Sequence, residues 1–458
     1  MQSVIESPSS SVSSEREAAY LNLELGRKSN ARWWVLLLLG LMYLICFADR
    51  ITISVVAPMI QREFGFDKVA MGFIFSAFVF AYALGQIPGG WVGDQLGPRR
   101  VLPGIVAIWS LFTTLTAQAF SATSFIVVRL LFGFIEGGAY PTATRAMQLW
   151  YPKQERGFVQ GITHSFSRFG GAIVPPVAIF IMNMWGWRAV FYVFGVFGIF
   201  WSILFHAFYR NTPEEHNWVN KSELAHIRGI DSNGTIHSGA GFAEKPKVPW
   251  RTLLTTPNMW YVVLSWVCWN YAIYFFLTWL PTYLVEYRHF RIQEMAIYAS
   301  LPLLAGMVGN TVGGVLTDKV YIRTKNLKFA RQVVAIPALL AAAALMLPAA
   351  LTGGQYTALV SLVAAQFFLE CVQGPQWSLP MDVGGKYAGT VAGLMNGFGN
   401  MAGALSPICF GFLVQRGLWQ APFFITATLL VIGAGIWAFL IDPVKSVIGA
   451  VGSVARNT

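Results

Sequence analysis

Charge is scarce in this chain. Asp, Glu, Lys and Arg together make up 12% of its residues, about half the share of a soluble domain. That shortage excludes an ordinary water-soluble globular protein. Cysteine is scarcer still. Its four copies, Cys46, Cys268, Cys371 and Cys409, fall in apolar segments without metal-ligand spacing. Neither a metal site nor a disulfide framework is expected, and the four read as small buried apolar side chains. A phosphate-cradling glycine loop and a serine or cysteine triad are also missing. The sequence therefore points away from an enzyme and from any metal or cofactor.

Positive charge is in excess, at a net +11, yet nucleic acid is not the expected partner. The lysines and arginines collect in alternate loops, the pattern that orients a membrane chain. With both termini cytoplasmic, roughly 23 of them lie inside and about six outside, and Arg50, Arg129 and Arg168 fall within the membrane.

What the chain has in plenty is apolar residues: 55% of the sequence is hydrophobic and the mean hydropathy is +0.54. A spanning helix needs about 20 mostly apolar residues, and twelve runs qualify, the third of them at 101–119. The expected fold is all-α and integral to the membrane, with twelve transmembrane helices in two pseudo-symmetric six-helix bundles. Its parts are a disordered cytoplasmic tail over 1–31, an N-terminal bundle over 32–208, a cytoplasmic linker over 209–257, a C-terminal bundle over 258–442 and a cytoplasmic tail over 443–458. The polar opening carries no cleavable signal. The expected location is the cell membrane, in a bacterium the inner one.

Against this background the intramembrane charges stand out. Asp49 precedes Arg50 in the first run, and Arg129 lies seven residues before Glu136 in the fourth. A charge at the bilayer centre costs roughly 2.5–3.5 kcal/mol on insertion scales, so such residues face polar cavities, pair, and handle ions or substrate. Seven residues return Arg129 and Glu136 to nearly one face about 10 Å apart, whereas Asp49 and Arg50 sit about 100° apart and can address different neighbours. Both signs together suggest a protein that binds an anion and exchanges protons.

In the fifth run Arg168 follows His164 by one helical turn. Arg168 reads either as a second anion clamp, suited to a substrate with two carboxylates, or as a structural partner of Glu136 or Asp49. His164 reads as a satisfied interior histidine, and Glu370, in the tenth run, as bonded to a neighbouring helix. The C-terminal half supplies neutral groups instead: Asn270, Tyr274 and Thr278 in one stripe, Asn396 and Asn400 in another, with Gln373 and Gln376 in the tenth run. Such faces suit sugar hydroxyls. Interhelical hydrogen bonds are the competing use.

A further pattern is mechanical. After the second run stands Gly90-Trp-Val-Gly-Asp94-Gln-Leu-Gly97-Pro-Arg99-Arg100, and after the eighth a degenerate copy, Gly314-Val-Leu-Thr-Asp318-Lys319. Glycines permit close helix approach, and parallel repeats of this kind mark the two halves of a rocking transporter. The run resembles the signature loop of the major facilitator superfamily, and these residues are the expected conformational gate.

Other runs narrow the resemblance. Cys46-Phe-Ala-Asp49-Arg50, Phe80 to Gly90, Arg129 to Gly157, and Trp269-Asn-Tyr271 with the following FLTWLPTYL are similar to the anion:cation symporter family. That family includes carriers of galactonate, hexuronates and glucarate. The resemblance implies proton coupling at Asp49 and Glu136, and carboxylate binding by Arg50 and Arg129. It also implies sugar contacts from Tyr82 and Asn396. Phe47 replaces a tyrosine of the galactonate carriers, and Ser167, beside Arg168, stands at a glutamine position. Arg168, Asn270, Tyr274 and Gln376 complete the expected binding set.

The expectation is thus a secondary active transporter. It carries a small organic anion, a hexonate, hexuronate or aldarate, by proton-coupled symport and alternating access. An aromatic carboxylate or dicarboxylate is the alternative cargo, and a non-transporting membrane sensor the remote one. Protons, the anion and the lipid bilayer are its expected partners, and a monomer its expected state.

Overall fold

The computed structural model describes residues 28–152, 155–228, 250–384 and 388–447. The two expected tails lie largely outside them, as does the middle of the linker. The described chain is almost wholly helical. Twelve long helices follow one another: α1 Ala31–Phe64, α2 Lys68–Leu96, α3 Pro98–Thr116, α4 Ala122–Trp150, α5 Arg156–Trp185, α6 Trp187–Phe208, α7 Pro257–Thr278, α8 Ile292–Thr324, α9 Leu327–Leu351, α10 Gln355–Gly384, α11 Val391–Gln415 and α12 Ala421–Leu440.

Eleven of these are long and apolar enough to cross a membrane. The exception is α3, which opens with Arg99 and Arg100 and carries Ser110, Thr113, Thr114 and Thr116 among its 19 residues. Its hydroxyls face protein rather than lipid. Ser110 and Thr114 pack against Gly198 and Gly195 of α6, and Thr114 Oγ1 donates to the Ser110 carbonyl at 2.9 Å. It therefore belongs to the bundle although its composition is diluted.

Short caps let the helices turn tightly. Asp67 caps α2 by accepting from the Ala70 amide at 2.7 Å. Ser121 and Ser124 form a capping box at α4, and Asn326 accepts from the Phe329 amide at 3.0 Å at α9. Gly97, at φ +80°, makes the α2–α3 turn.

The repeat noted in the sequence is visible as one glycine register used twice. A Cβ on Gly85 would lie 1.9 Å from the Phe134 carbonyl oxygen, and one on Gly89 would lie 2.2 Å from Gly138 Cα. In the second half a Cβ on the corresponding Gly309 would lie 2.1 Å from the Phe367 carbonyl oxygen, and one on Gly313 would lie 2.1 Å from that of Cys371. Backbone thus touches backbone between α2 and α4, and again between α8 and α10.

The two halves meet chiefly toward the end of the bundle away from the chain termini. There Lys68 pairs with Glu286, and its amide donates to Gln415 Oε1 at 2.8 Å. Ser76 Oγ donates to the Ala404 carbonyl at 2.5 Å, and Gly72 backs onto Pro407. At the other end, Gly161 of α5 and Gly393 and Gly397 of α11 border open space.

The first part of the linker is folded. The helix Lys221–Arg228 turns back on the start of α1, where the fully buried Glu223 accepts from the Ala31 and Arg32 amides at 3.2 and 3.1 Å and from Ser29 Oγ. A carboxylate satisfies the free N–H groups of a helix start.

Candidate functional site

The intramembrane charges converge on one region between α1, α2, α4 and α7. Arg50 Nε donates to Glu136 Oε1 at 2.5 Å, and Cys46 Sγ donates to the same oxygen at 2.7 Å. Glu136 has no solvent exposure, and its Oε2 has no partner. The Arg50 guanidinium is walled by aromatic rings: its carbon lies 4.2 Å from the Tyr82 centroid, 5.3 Å from Phe47 and Phe78, and 5.4 Å from Tyr140. Cation–π contacts of this kind hold a guanidinium in place while leaving its N–H edge to an anion.

Asp49 turns the other way. Its Oδ2 accepts from Trp109 Nε1 of α3 at 3.1 Å, while Oδ1 is buried without a partner. The 100° offset between Asp49 and Arg50 therefore sends them to different neighbours. Two buried carboxyls, each with one unpartnered oxygen, are well suited to hold a proton, because an added O–H needs only a water to donate to.

Arg129 is the least partnered charge. It is 4% exposed, lies over Phe78 and Phe132 at 4.7 and 4.9 Å, and makes no hydrogen bond or ion pair among the described residues. With Arg50, Tyr274 and Thr278 it lines a space of about 20 Å³. That volume holds a water or two, not an organic acid. The helices must part for cargo to enter. Glu136, on the same helix, bonds Arg50 rather than Arg129.

From the other half, Tyr274 donates to Asn400 Oδ1 at 2.7 Å, Asn400 Nδ2 to Asn396 Oδ1 at 2.9 Å, and Asn396 Nδ2 to Gln86 Oε1 at 3.1 Å. This amide relay bridges α7, α11 and α2. Asn270 and Gln376 are placed apart from it. Asn270 donates to the Trp266 carbonyl at 2.9 Å, and Gln376, fully buried, bonds Ser265 and the Val262 carbonyl. Both tie α7 to itself or to its neighbours.

Arg168 has a structural partner, but neither of the two that the sequence offered. It pairs with Glu370 of α10 at 3.1 Å, across the two halves, and not with Glu136 or Asp49. Glu370 thus does bond a neighbouring helix, and it also accepts from Gln366 at 3.2 Å. His164 packs edge-on to Tyr43 and Tyr140.

In the gate motif, Gly90 backs onto Pro141, and Gly97 onto Asn211, whose Oδ1 accepts from the Arg99 amide at 3.0 Å. The Arg99 carbonyl faces His206 Nδ1 at 3.2 Å. The side chain of Asp94 lies outside the described part, Arg100 is exposed at the bundle end, and so is Asp318.

Sequence reasoning missed Cys46, Trp109, Tyr140 and Gln86. Cys46 stands four residues before Arg50 and Gln86 four after Tyr82, so helical spacing could have found both. Tyr140 likewise follows Glu136 by four residues on α4, whereas Trp109 comes from α3 and carried no such signal.

A fold of two six-helix bundles around a buried acid–arginine site defines a class of membrane transporter, not an enzyme. The chain belongs to the major facilitator superfamily, whose family model matches residues 39–407. Among its relatives, a protein of Cupriavidus necator named "Probable sulfoacetate transporter" is 42% identical over 423 residues, covering 92% of this chain and 96% of that one. A "Probable galactarate/D-glucarate transporter" of Bacillus subtilis is 33% identical, covering 92% and 94%. The hexuronate transporter of the same organism is 31% identical, covering 92% and 97%. In structure the chain is similar to a bacterial homologue of the human lysosomal transporter Spinster, solved inward-facing and unoccupied. The TM-score is 0.68 at 21% identity, over 89% of this chain and 96% of that one.

Proposed function

We propose that this protein is a proton-coupled symporter of a small organic anion, working by alternating access in a bacterial inner membrane with both termini in the cytoplasm. Arg129 carries the reading: a buried guanidinium without an anionic bond, facing with Arg50 into one small space. An uncompensated buried charge is costly, and a substrate carboxylate is the group that relieves it. The names of the sulfoacetate, glucarate and hexuronate relatives support an acid as cargo.

Coupling follows from competition. While Glu136 is ionised it occupies Arg50. A proton on Glu136 weakens that bond and frees Arg50 for the cargo, and Asp49 supplies a second proton site. The carboxylate then lies on Arg50 and Arg129, and cargo hydroxyls meet Tyr274, Asn396, Asn400 and Gln86, whose relay already spans the halves. The contacts at the end away from the termini are closed, and open space borders Gly161 and Gly397. This arrangement supports an inward-facing state in which the gate around Gly90, Asp94 and Asp318 stands apart. The protein is expected to act as a monomer.

The test is uptake into proteoliposomes with an imposed pH gradient, competed by aldonates, uronates, aldarates, sulfoacetate and aromatic acids. Acid-driven accumulation of one class, abolished by a protonophore, supports the reading. Uptake indifferent to the pH gradient overturns the coupling. A profile led by aromatic acids overturns the sugar-acid cargo.

A further inference from the structure

The pair Arg168–Glu370 repeats the build of Arg50–Glu136. In each, the carboxyl side chain is wholly enclosed while about a tenth of the arginine side chain stays accessible: 11% against 0% for Arg50–Glu136, and 10% against 0% for Arg168–Glu370. The acid is enclosed, and the arginine is the member of the pair that stays partly accessible. Both guanidiniums also rest against one ring. Their carbons are each 5.3 Å from the Phe47 centroid, so they lie within roughly twice that distance of each other. On the same face of α5, two turns nearer the chain termini, Gly161 borders open space. Gly306 of α8 backs the acid, where a Cβ would lie 2.9 Å from Glu370 Cγ.

We propose that Arg168 is a second anion-binding site, which accepts the far acidic group of a two-headed cargo such as a dicarboxylate or a sulfocarboxylate, with Glu370 holding the site until the cargo arrives. This rests on the symport reading above and deepens it by naming the cargo class. A guanidinium carbon sits roughly 4 Å from the carbon or sulfur of the oxyanion it grips. With the heads between the guanidiniums, subtracting this at each end of that upper bound leaves at most roughly 2–3 Å from head to head, the span of two acidic groups joined by one methylene.

Phe47 sets the spacing. Its ring touches both guanidiniums and offers no hydroxyl, so between the heads the cargo meets an apolar surface. When Arg168 turns to the cargo, Glu370 keeps the bond from Gln366. Because Glu370 comes from α10 and Arg168 from α5, the exchange also loosens a buried tie between the halves. Arrival of the far head is thereby linked to their movement.

The experiment uses the full-length protein in proteoliposomes and reads inhibition of counterflow. Sulfoacetate and malonate serve as two-headed probes, and galactonate and acetate as one-headed probes. The wild type is expected to prefer the two-headed acids. Arg168→Gln is expected to lower that preference about tenfold, the worth of one charge-assisted bond, while changing the galactonate constant little. Glu370→Gln removes the competitor and is expected to raise the preference.

The exchanged pair, Arg168→Glu with Glu370→Arg, separates a binding role from a merely structural one. Recovery of two-headed preference in the exchanged protein overturns the inference, because a structural ion pair is restored by exchange while the guanidinium beside Phe47 is not. Equal loss for all probes in Arg168→Gln, or no rise in Glu370→Gln, overturns it too. If Arg168→Gln fails to fold, Glu370→Gln alone decides. A wild type that takes galactonate without preferring two-headed acids removes this inference and leaves the symport reading standing; one that takes no acid removes both.

Discussion

Replacing Glu136 by Gln isolates the competition on which coupling depends. The amide is nearly isosteric, and its oxygen can still accept from Arg50 Nε and Cys46 Sγ, now at 2.5 and 2.7 Å from Oε1. The negative charge is lost, and the new NH₂ occupies the place of Oε2, which has no partner to accept from it. Neutralising one member of a buried ion pair costs about 3–5 kcal/mol. Arg50 keeps four aromatic neighbours and 11% of its side-chain exposure, so the lower end, about 3 kcal/mol, is expected. The empty protein should therefore melt earlier than the wild type. Added anion should recover most of the loss, because it takes the vacated place on Arg50. Binding no longer displaces a carboxylate, so affinity rises by about 5–150-fold, the usual span of a coupling of 1–3 kcal/mol. The assays are thermal unfolding with and without anion, counterflow, and uptake driven by a pH gradient. Counterflow should persist and uphill accumulation should vanish. A variant that binds the anion more weakly than the wild type, or still accumulates it with normal pH dependence, refutes the competition argument.

Asp49→Asn should likewise abolish proton-driven accumulation while sparing exchange of labelled cargo; intact accumulation would remove Asp49 from the coupling. Arg129→Lys should weaken cargo binding at least about tenfold, since a point charge does not replace a two-pronged guanidinium, and an unchanged transport constant would contradict its role. Gly85→Ala places a Cβ 1.9 Å from the Phe134 carbonyl oxygen and should cost at least about 1–3 kcal/mol in thermal unfolding, whereas Gly161→Ala, with open space around it, should melt like the wild type. In the linker, burial and the nearby Arg210 hold His216 below its ordinary value of 6.5. The unfolded segment binds more protons in that range, so its stability should fall as pH drops through 6.5. Hydrogen exchange over 213–228 at about pH 7.5 and 5.5 should show the loss, and His216→Phe should flatten it.

The membrane helices were legible because bilayer thickness imposes a length and an apolar content that few other structures need. The one divergence, α3, comes from hydroxyls that face α6, since a hydropathy count does not know which side meets lipid. The intramembrane charges were legible for the same energetic reason. Their partners were not. Helical spacing relates residues of one helix, so it brought out Arg129 and Glu136 but could not show that Arg50 takes Glu136, that Trp109 takes Asp49, or that Arg168 reaches Glu370. It also could not separate amides that face the cavity from those that fasten helices, which is why Gln376 and Asn396 looked alike in the sequence and differ in the structure. The fold of Lys221–Arg228 was hidden in the linker because Glu223 finds its donors at the start of α1, far away in the chain.

The unequal division of charge between the halves has a physical logic. Both halves use one helix register, with Gly85 and Gly89 answered by Gly309 and Gly313, yet Asp49, Arg50, Arg129 and Glu136 all lie in the first. A cargo held by charge on one half can ride with that half as it rocks. The other half must release and regain its contacts in every cycle. Hydrogen bonds from Tyr274, Asn396 and Asn400, each worth about 0.6–2 kcal/mol, change at small cost, whereas a second set of buried charges would raise the barrier by the several kcal/mol of an unpaired ion. Arg168–Glu370 is the buried ion pair among the described residues that crosses this divide. By the same reasoning it obstructs rocking unless something replaces one member, and the acidic far end of a two-headed cargo is a replacement of the right charge.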